Sequence, residues 1–444
     1  MQWEMVAVVH SRPRKARDAT APLTMESSPQ WRVWAFLVVV HHIWCYVLGK
    51  LTNYQVHPIV CCPGGDSCTS GAVALRVFRS HRRATAIDNH YLCGRRLKRV
   101  IFQVTSSNEK YAVFSSEHHL TKSMVETLAA NAIDLESIAI DRMIITIGAV
   151  EAFSQLPTSL EEFSISNCRM SCSTAEVNEI VQNSLRQLLS RSPRLKRFEI
   201  SGRGWTFDHF VLDENVLALL PDSIRDLSIS AGGSLKITNL HFLRGRLLES
   251  LALQRSFVSS ADLDVLVGMA SSLTTLDLTS CINITDGSLL RKLHNLRYLY
   301  LGNNRELTDD AVMGVCAGCP RLQRLSLDNC AMLTTNSLLG LGLLFELEWL
   351  CLAGVGGVDD QVLERLTNCR ELKMLDIKFC RNVTEIGLVI ILDLPELSQL
   401  DVQGVRAYSH SILQHAKRIP KTIVSEHCAS MPIHLPPLPS AVVG

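Results

Sequence analysis

Residues 273–295 read Leu273-Thr-Thr-Leu276-Asp-Leu278-Thr-Ser-Cys281-Ile-Asn-Ile-Thr285-Asp286-Gly-Ser-Leu289-Leu290-Arg-Lys-Leu293-His-Asn295. Two periodicities meet in this stretch. Leu273, Leu276 and Leu278 point to one side of a short extended segment, which leaves Thr274, Thr275, Asp277 and Thr279 toward solvent. Thr285-Asp286 then reads as a helix start, with a hydroxyl N-cap and an acid where exposed amides and the macrodipole favour negative charge. Leu289, Leu290 and Leu293 supply the apolar face of the helix that follows.

The same strand-then-helix unit recurs. LxxLxL runs begin at Leu273, Leu296, Leu322, Leu347, Leu372 and Leu397, spaced by 23, 26, 25, 25 and 25 residues. Weaker copies begin upstream at Leu248, Ile224, Leu195, Leu160, Leu135 and Leu97. Their uneven spacing implies insertions at Met170 to Asn183 and Gly202 to Glu214, read as loops or longer helices. The helix-start punctuation returns at Thr308-Asp309, Thr334-Thr335, Asp359-Asp360 and Thr384-Glu385. One unit alone cannot bury its apolar wedge, whereas stacked units share a continuous core. The expected fold is therefore an α/β leucine-rich-repeat solenoid, a horseshoe of ribonuclease-inhibitor type, with parallel strands on the concave face and helices on the convex face. The array spans 97–419, is most regular over 248–405, and lies between an irregular basic extension (1–96) and a Pro-rich tail (420–444).

Cys281, Cys330 and Cys380 each stand eight residues after the first Leu of a run, and Cys319-Pro320 and Cys369 precede Leu322 and Leu372. This pattern resembles the cysteine-containing leucine-rich repeats of F-box and leucine-rich-repeat proteins. That resemblance implies a substrate-binding component of an SCF-type ubiquitin ligase, acting in ubiquitin-dependent degradation, with a protein substrate on the concave face and a cullin-ligase adaptor as a second partner. The chain departs from the family upstream: its first Leu-Pro pair, Leu156-Pro157, already lies among the repeats, and no F-box pattern precedes residue 97. A non-ligase scaffold or inhibitor is the alternative reading. Asn304, Val355 and Val405 replace the family cysteine in three turns.

Apolar residues make up 47% of the 444 and charged ones 20%, which excludes a mainly disordered chain, a collagen and a coiled coil. The net charge of +1 conceals an asymmetry: residues 1–100 hold 14 Lys and Arg against 5 Asp and Glu, and the remainder 30 against 38. The 15 cysteines are an odd number spread over a long chain rather than a compact even-numbered scaffold, and Cys281, Cys330 and Cys380 fill a repeat position, which points to buried free thiols and a cytoplasmic or nuclear setting.

Exposed strand positions carry the functional expectation. Tyr298, Tyr300, Arg324, Asp328, Trp349, Asp376 and Lys378 are the candidate protein-binding residues, because Tyr, Trp and Arg are enriched in binding hot spots and parallel pairing sets Tyr298, Arg324 and Trp349 on adjacent rungs. No GxSxG, HExxH or P-loop sequence is present, so the reading is a non-enzyme without catalytic residues or cofactor. Cys316-Ala-Gly-Cys319 has redox or metal spacing but continues a helix's apolar face and reads as structural, and His57, Cys61, Cys62, Cys68, His90 and Cys93 lack paired zinc spacing. No metal site is expected.

Arg76, Arg79, Arg82, Arg83, Arg95, Arg96, Lys98 and Arg99 have no aromatic interleaving, and they read as a solvated tail rather than a nucleic-acid surface. Leu435-Pro-Pro-Leu-Pro439 reads as a plain C-terminal tail, with a polyproline ligand as the alternative. Residues 33–48 are apolar but short for a membrane span, and they read as a terminal cap or an extension. A membrane or secretory segment, with Met25 as an alternative start, remains the other reading.

Overall fold

The computed structural model describes residues 74–77, 98–103, 119–171, 175–201, 212, 214–230, 240–256, 258–281, 284, 287–406 and 423–425. They belong to two units, Met1–Lys236 and Ile237–Gly444. Residues 33–48, the His57 to Cys93 group, Arg79 to Arg96, Thr285-Asp286 and the Leu435 to Pro439 run lie outside the described residues.

Both units are α/β leucine-rich-repeat solenoids. In the first, parallel strands pair in chain order through Ala74–Val77, Arg99–Gln103, Ser137–Asp141, Glu162–Ser166, Arg197–Ser201 and Asp226–Ile229. Inward residues hold register: Val100, Ile138, Phe163, Phe198 and Leu227 form one buried row and Phe102, Ile140, Ile165, Ile200 and Ile229 the next. Aromatic residues replace Leu in part of this core. Phe153 meets Phe163 edge-on at 5.3 Å, and Phe163 stacks on Phe198 at 5.8 Å. The insertion beginning at Met170 becomes the helix Ala175–Arg191. The strand Ala74–Val77 lies upstream of the region where the sequence pattern begins.

In the second unit the parallel strands are Ser250–Ala252, Thr275–Asp277, Tyr298–Tyr300, Arg324–Ser326, Trp349–Cys351, Met374–Asp376, Gln399–Asp401 and Ile423–Ser425. The central leucine of every LxxLxL run pairs with its counterpart, from Leu251 through Leu276, Leu299, Leu325, Leu350 and Leu375 to Leu400, all at most 1% exposed. Burial of each such side chain contributes roughly 2 kcal/mol. The last strand, Ile423–Ser425, falls in what the sequence reads as tail.

The strand ends explain the repeat cysteines. Each strand from 275 to 401 is followed by a residue with positive φ: Ser280, Asn303, Asn329, Gly354, Phe379 and Gly404. The turn delivers the next side chain into the core, where it reaches back one repeat to a backbone carbonyl. Cys281, Cys330 and Cys380 donate to Leu253, Leu301 and Leu352, each at 3.2 Å, and Asn304 donates to Leu278 at 2.9 Å. Asparagine thus performs the thiol's task with a stronger donor, while Val355 and Val405 are buried without one. Cys319 and Cys369 serve the other side, donating at 3.4 Å to the carbonyls of Leu293 and Leu341 that close the preceding repeat's helix. Burial pushes the thiols of Cys281, Cys316, Cys319, Cys330, Cys369 and Cys380 up to about 12.

Two expectations about the helices are corrected. After Cys281 the chain forms a 3-10 turn, Ser288–Lys292, in place of an α-helix, and of its leucines Leu290 is buried while Leu289 is not. This repeat is two residues shorter than those of 25, and a Cβ on Gly287 would lie 2.6 Å from the Ala311 Cβ, so there is little room for a fuller helix. Thr308 and Thr334 do occupy N-cap positions, of Asp309–Gly318 and Thr335–Leu338, but make no side-chain cap bond to those helices. The Thr334 hydroxyl instead donates to Asp309 of the preceding repeat at 2.5 Å. No helix among the described residues is long and apolar enough to cross a membrane.

Candidate functional site

Parallel pairing places the third-position residues of six successive runs of the second unit in one transverse row: Thr275, Tyr298, Arg324, Trp349, Met374 and Gln399. From Tyr298 to Gln399 the row is half-buried. The adjacency of Tyr298, Arg324 and Trp349 expected from sequence is therefore present, and Met374 extends it by one rung. The Arg324 guanidinium carbon lies 5.6 Å from the centre of the Tyr298 ring, a cation–π distance, and the positive charge of Arg324 acts to lower the Tyr300 phenol. Tyr300 and Trp349 stand two strands apart, about 10 Å at normal strand spacing. Their ring centres are nevertheless only 6.1 Å apart, so the two side chains reach toward each other across the strand that carries Arg324 and Ser326.

The next row corrects the exposed reading of several residues. Tyr300 and Asp376 are each 3% exposed, and Thr275 and Asp277 are also buried. Tyr300 is covered by Trp349 and Arg324; burial raises its phenol above the ordinary range although Arg324 opposes the shift. The acids are buried because each folds onto the strand end. Asp277 accepts from the Thr279 amide at 2.9 Å, Asp376 from Lys378 at 3.0 Å and Asp401 from Gln403 at 3.3 Å. Alternation predicts their side of the sheet correctly but not this turn-like fold-back.

Lys378 closes the acidic end of the row, with its ammonium 2.8 Å from Asp376 and 3.5 Å from Asp401. Burial pushes the Asp376 carboxyl up, against the opposing pull of Lys378. Burial likewise raises Asp277, and Gln254 and Thr279 only partly offset it. Asp328 is half-buried and accepts from Ser326 at 2.6 Å and Asn303 at 3.0 Å. Gly302 leaves room for it, since a Cβ there would displace the Asp328 carboxylate. The seven candidate residues thus divide into a partly exposed surface of Tyr298, Arg324, Asp328 and Trp349, a largely buried Lys378 with its side chain 13% exposed, and a buried support of Tyr300 and Asp376.

Phe379 escapes the sequence reading. It is 55% exposed and sits at φ 59°, where neighbouring repeats place Ser280, Asn303, Asn329, Gly354 or Gly404. Left-handed backbone costs roughly 1–2 kcal/mol for a residue with a Cβ. The signal was available as a bulky aromatic at a position otherwise held by small or turn-forming residues.

The strand face of the first unit differs in kind. Ser137 donates to Glu162 at 2.7 Å, Ser164 and Ser201 to Glu199 at 2.9 and 2.6 Å, and Arg197 bridges Glu199 and Asp226 at 3.2 and 3.3 Å. Serines and carboxylates there satisfy one another, with no aromatic side chain among the described residues of that face.

No protein-family model matches the chain. A protein of Caenorhabditis elegans named as a putative RNA-binding protein is 24% identical over 204 residues, 45% of this chain. The match spans about a quarter of that relative's length (26%). Among solved structures, an internalin from Listeria monocytogenes aligns with TM-score 0.46 and 19% identity over 69% of this chain and 83% of its own. The Rad7 and Elc1 complex in yeast gives 0.48 and 18% over 70% and 82%. A leucine-rich-repeat protein of Leptospira interrogans gives 0.41 and 16% over 79% and 89%.

Proposed function

We propose that this chain is a recognition module that binds a protein partner on the strand face of its second unit. The observation that carries the reading is the half-exposed row Tyr298, Arg324, Trp349 and Met374 braced from beneath by buried Tyr300. Aromatic and Arg side chains held rigidly lose little conformational entropy on binding, which is why they dominate hot spots. A polyanionic partner suits the face poorly, because Asp277, Asp328, Asp376 and Asp401 outnumber Arg324 and Lys378 there. The RNA-binding name of the nematode relative is therefore not adopted for this surface.

Within that reading, the module serves as the substrate-binding component of an SCF-type ubiquitin ligase; the supporting observation is the paired cysteine pattern, with Cys281, Cys330 and Cys380 at strand ends and Cys319 and Cys369 at helix ends. Co-purification of the full chain with the cullin and its adaptor tests this. Recovery of both supports the ligase assignment, and recovery of neither leaves a scaffold or inhibitor using the same face. For the face itself, Tyr298→Ala with Trp349→Ala is the appropriate pair, since Tyr300 is buried and its loss would perturb folding.

A further inference from the structure

The row from Thr275 to Gln399 crosses six strands, about 24 Å, the length of roughly seven extended residues. It contains one charge, Arg324, and no acid. Among the described residues no carboxylate lies within ion-pair distance of Arg324, although four acids occupy the same face. Each of those acids is engaged elsewhere: Asp277 by Gln254 and Thr279, Asp328 by Ser326 and Asn303, Asp376 and Asp401 by Lys378. The guanidinium is meanwhile held against the face of the Tyr298 ring. A half-buried, pre-oriented guanidinium without an internal counter-charge favours an incoming carboxylate, which accepts its planar fork in two parallel hydrogen bonds.

Apolar surface lies to both sides of that charge, with Tyr298 on one flank and Trp349 and Met374 on the other. We infer that the row docks an extended peptide segment bearing a single acidic side chain between apolar ones, with the carboxylate on Arg324 and the apolar neighbours on Tyr298 and on Trp349 with Met374. This inference rests on the protein-recognition reading and names the chemistry of the partner. The row offers a single cation, Arg324, so it answers one carboxylate rather than the repeated charge of a phosphate backbone.

The test uses the full chain and two pools of fluorescein-labelled ten-residue peptides, read by fluorescence polarisation. Each pool randomises Leu, Phe, Tyr and Ser around a central position, which is Glu in one pool and Gln in the other; labelled decauridylate is the third probe. The Glu pool binds about tenfold or more tighter than the Gln pool, the effect of a charged hydrogen bond. Arg324→Gln and Arg324→Lys abolish and reduce that preference respectively, and the pool comparison itself requires no variant. Equal binding of the two pools, both lost in Trp349→Ala, refutes the acidic partner while leaving the docking face intact. Absence of binding by either pool at millimolar concentration overturns both readings, and tighter binding of decauridylate replaces the peptide with RNA.

Discussion

Replacing Asp309 by Ala should uncouple two adjacent repeats at their helix starts. Its carboxylate accepts from the Thr334 amide at 2.8 Å, the Thr334 hydroxyl at 2.5 Å and the Ser337 hydroxyl at 2.6 Å, all in the following repeat. Asp360 makes the equivalent contacts to the amide and hydroxyl of Thr384. A hydrogen bond to a charged group contributes roughly 1.5–3 kcal/mol when well buried. Asp309 is only half-buried and water competes for it, so the three bonds together are expected to contribute about 2 kcal/mol. Burial pushes its carboxyl up, but the bonds from Ser337 and Thr334 outweigh this and hold it below the ordinary value. The stabilisation is therefore complete above the unfolded-state pKa near about 3.9 and is lost as pH falls through the lower folded value. Because a repeat array can open locally, native-state hydrogen exchange is the appropriate assay, with urea unfolding beside it. The Thr334 amide should exchange about 30-fold faster at neutral pH in Asp309→Ala, with Asp309→Asn intermediate. Unchanged exchange at Thr334, or a difference that persists below the folded pKa, would refute the clamp.

Leu299→Ala, at a fully buried position, should cost about 3 kcal/mol in urea unfolding. Asp277, held above its usual pKa chiefly by burial, contributes stability that is full below the unfolded pKa and lost as pH rises through the folded one. Asp277→Asn should accordingly raise the urea midpoint at pH 7 and match the original chain in acid. Phe379→Asn should stabilise the fold by about 1 kcal/mol by relieving left-handed strain; an unchanged or lower midpoint would show that the exposed ring contributes packing instead. Iodoacetamide mapping should leave Cys281, Cys330 and Cys380 unmodified in the native chain and modify them in urea, since their thiols lie at about 12.

The solenoid was legible because its signal is additive: each LxxLxL run repeats the same inward leucines, and pairing in register is the arrangement that buries them together. The side-by-side placement of Tyr298, Arg324 and Trp349 followed from that register. Burial within the row was not legible. Tyr300 is covered because the Trp349 ring, two strands away, meets it at 6.1 Å, and Asp376 because its carboxylate turns onto the Lys378 amide. The first depends on a side chain two repeats away, and the second on a fold-back within the run that alternation does not describe. The Thr-Asp doublets were recognisable as helix starts, yet the part played by Asp309 in the next repeat appears only when 25 residues of separation become a contact of 2.8 Å.

The central claim, a protein-binding strand face in the second unit, is most directly tested by photo-crosslinking in cells. The full chain would carry a benzophenone amino acid either at Trp349, on the strand face, or at Met313, on the helix Asp309–Gly318 and 46% exposed. The account predicts a discrete protein adduct from position 349 that is lost on Arg324→Gln, and none from position 313. Adducts from position 313 alone, or nucleic acid captured at position 349, would contradict it.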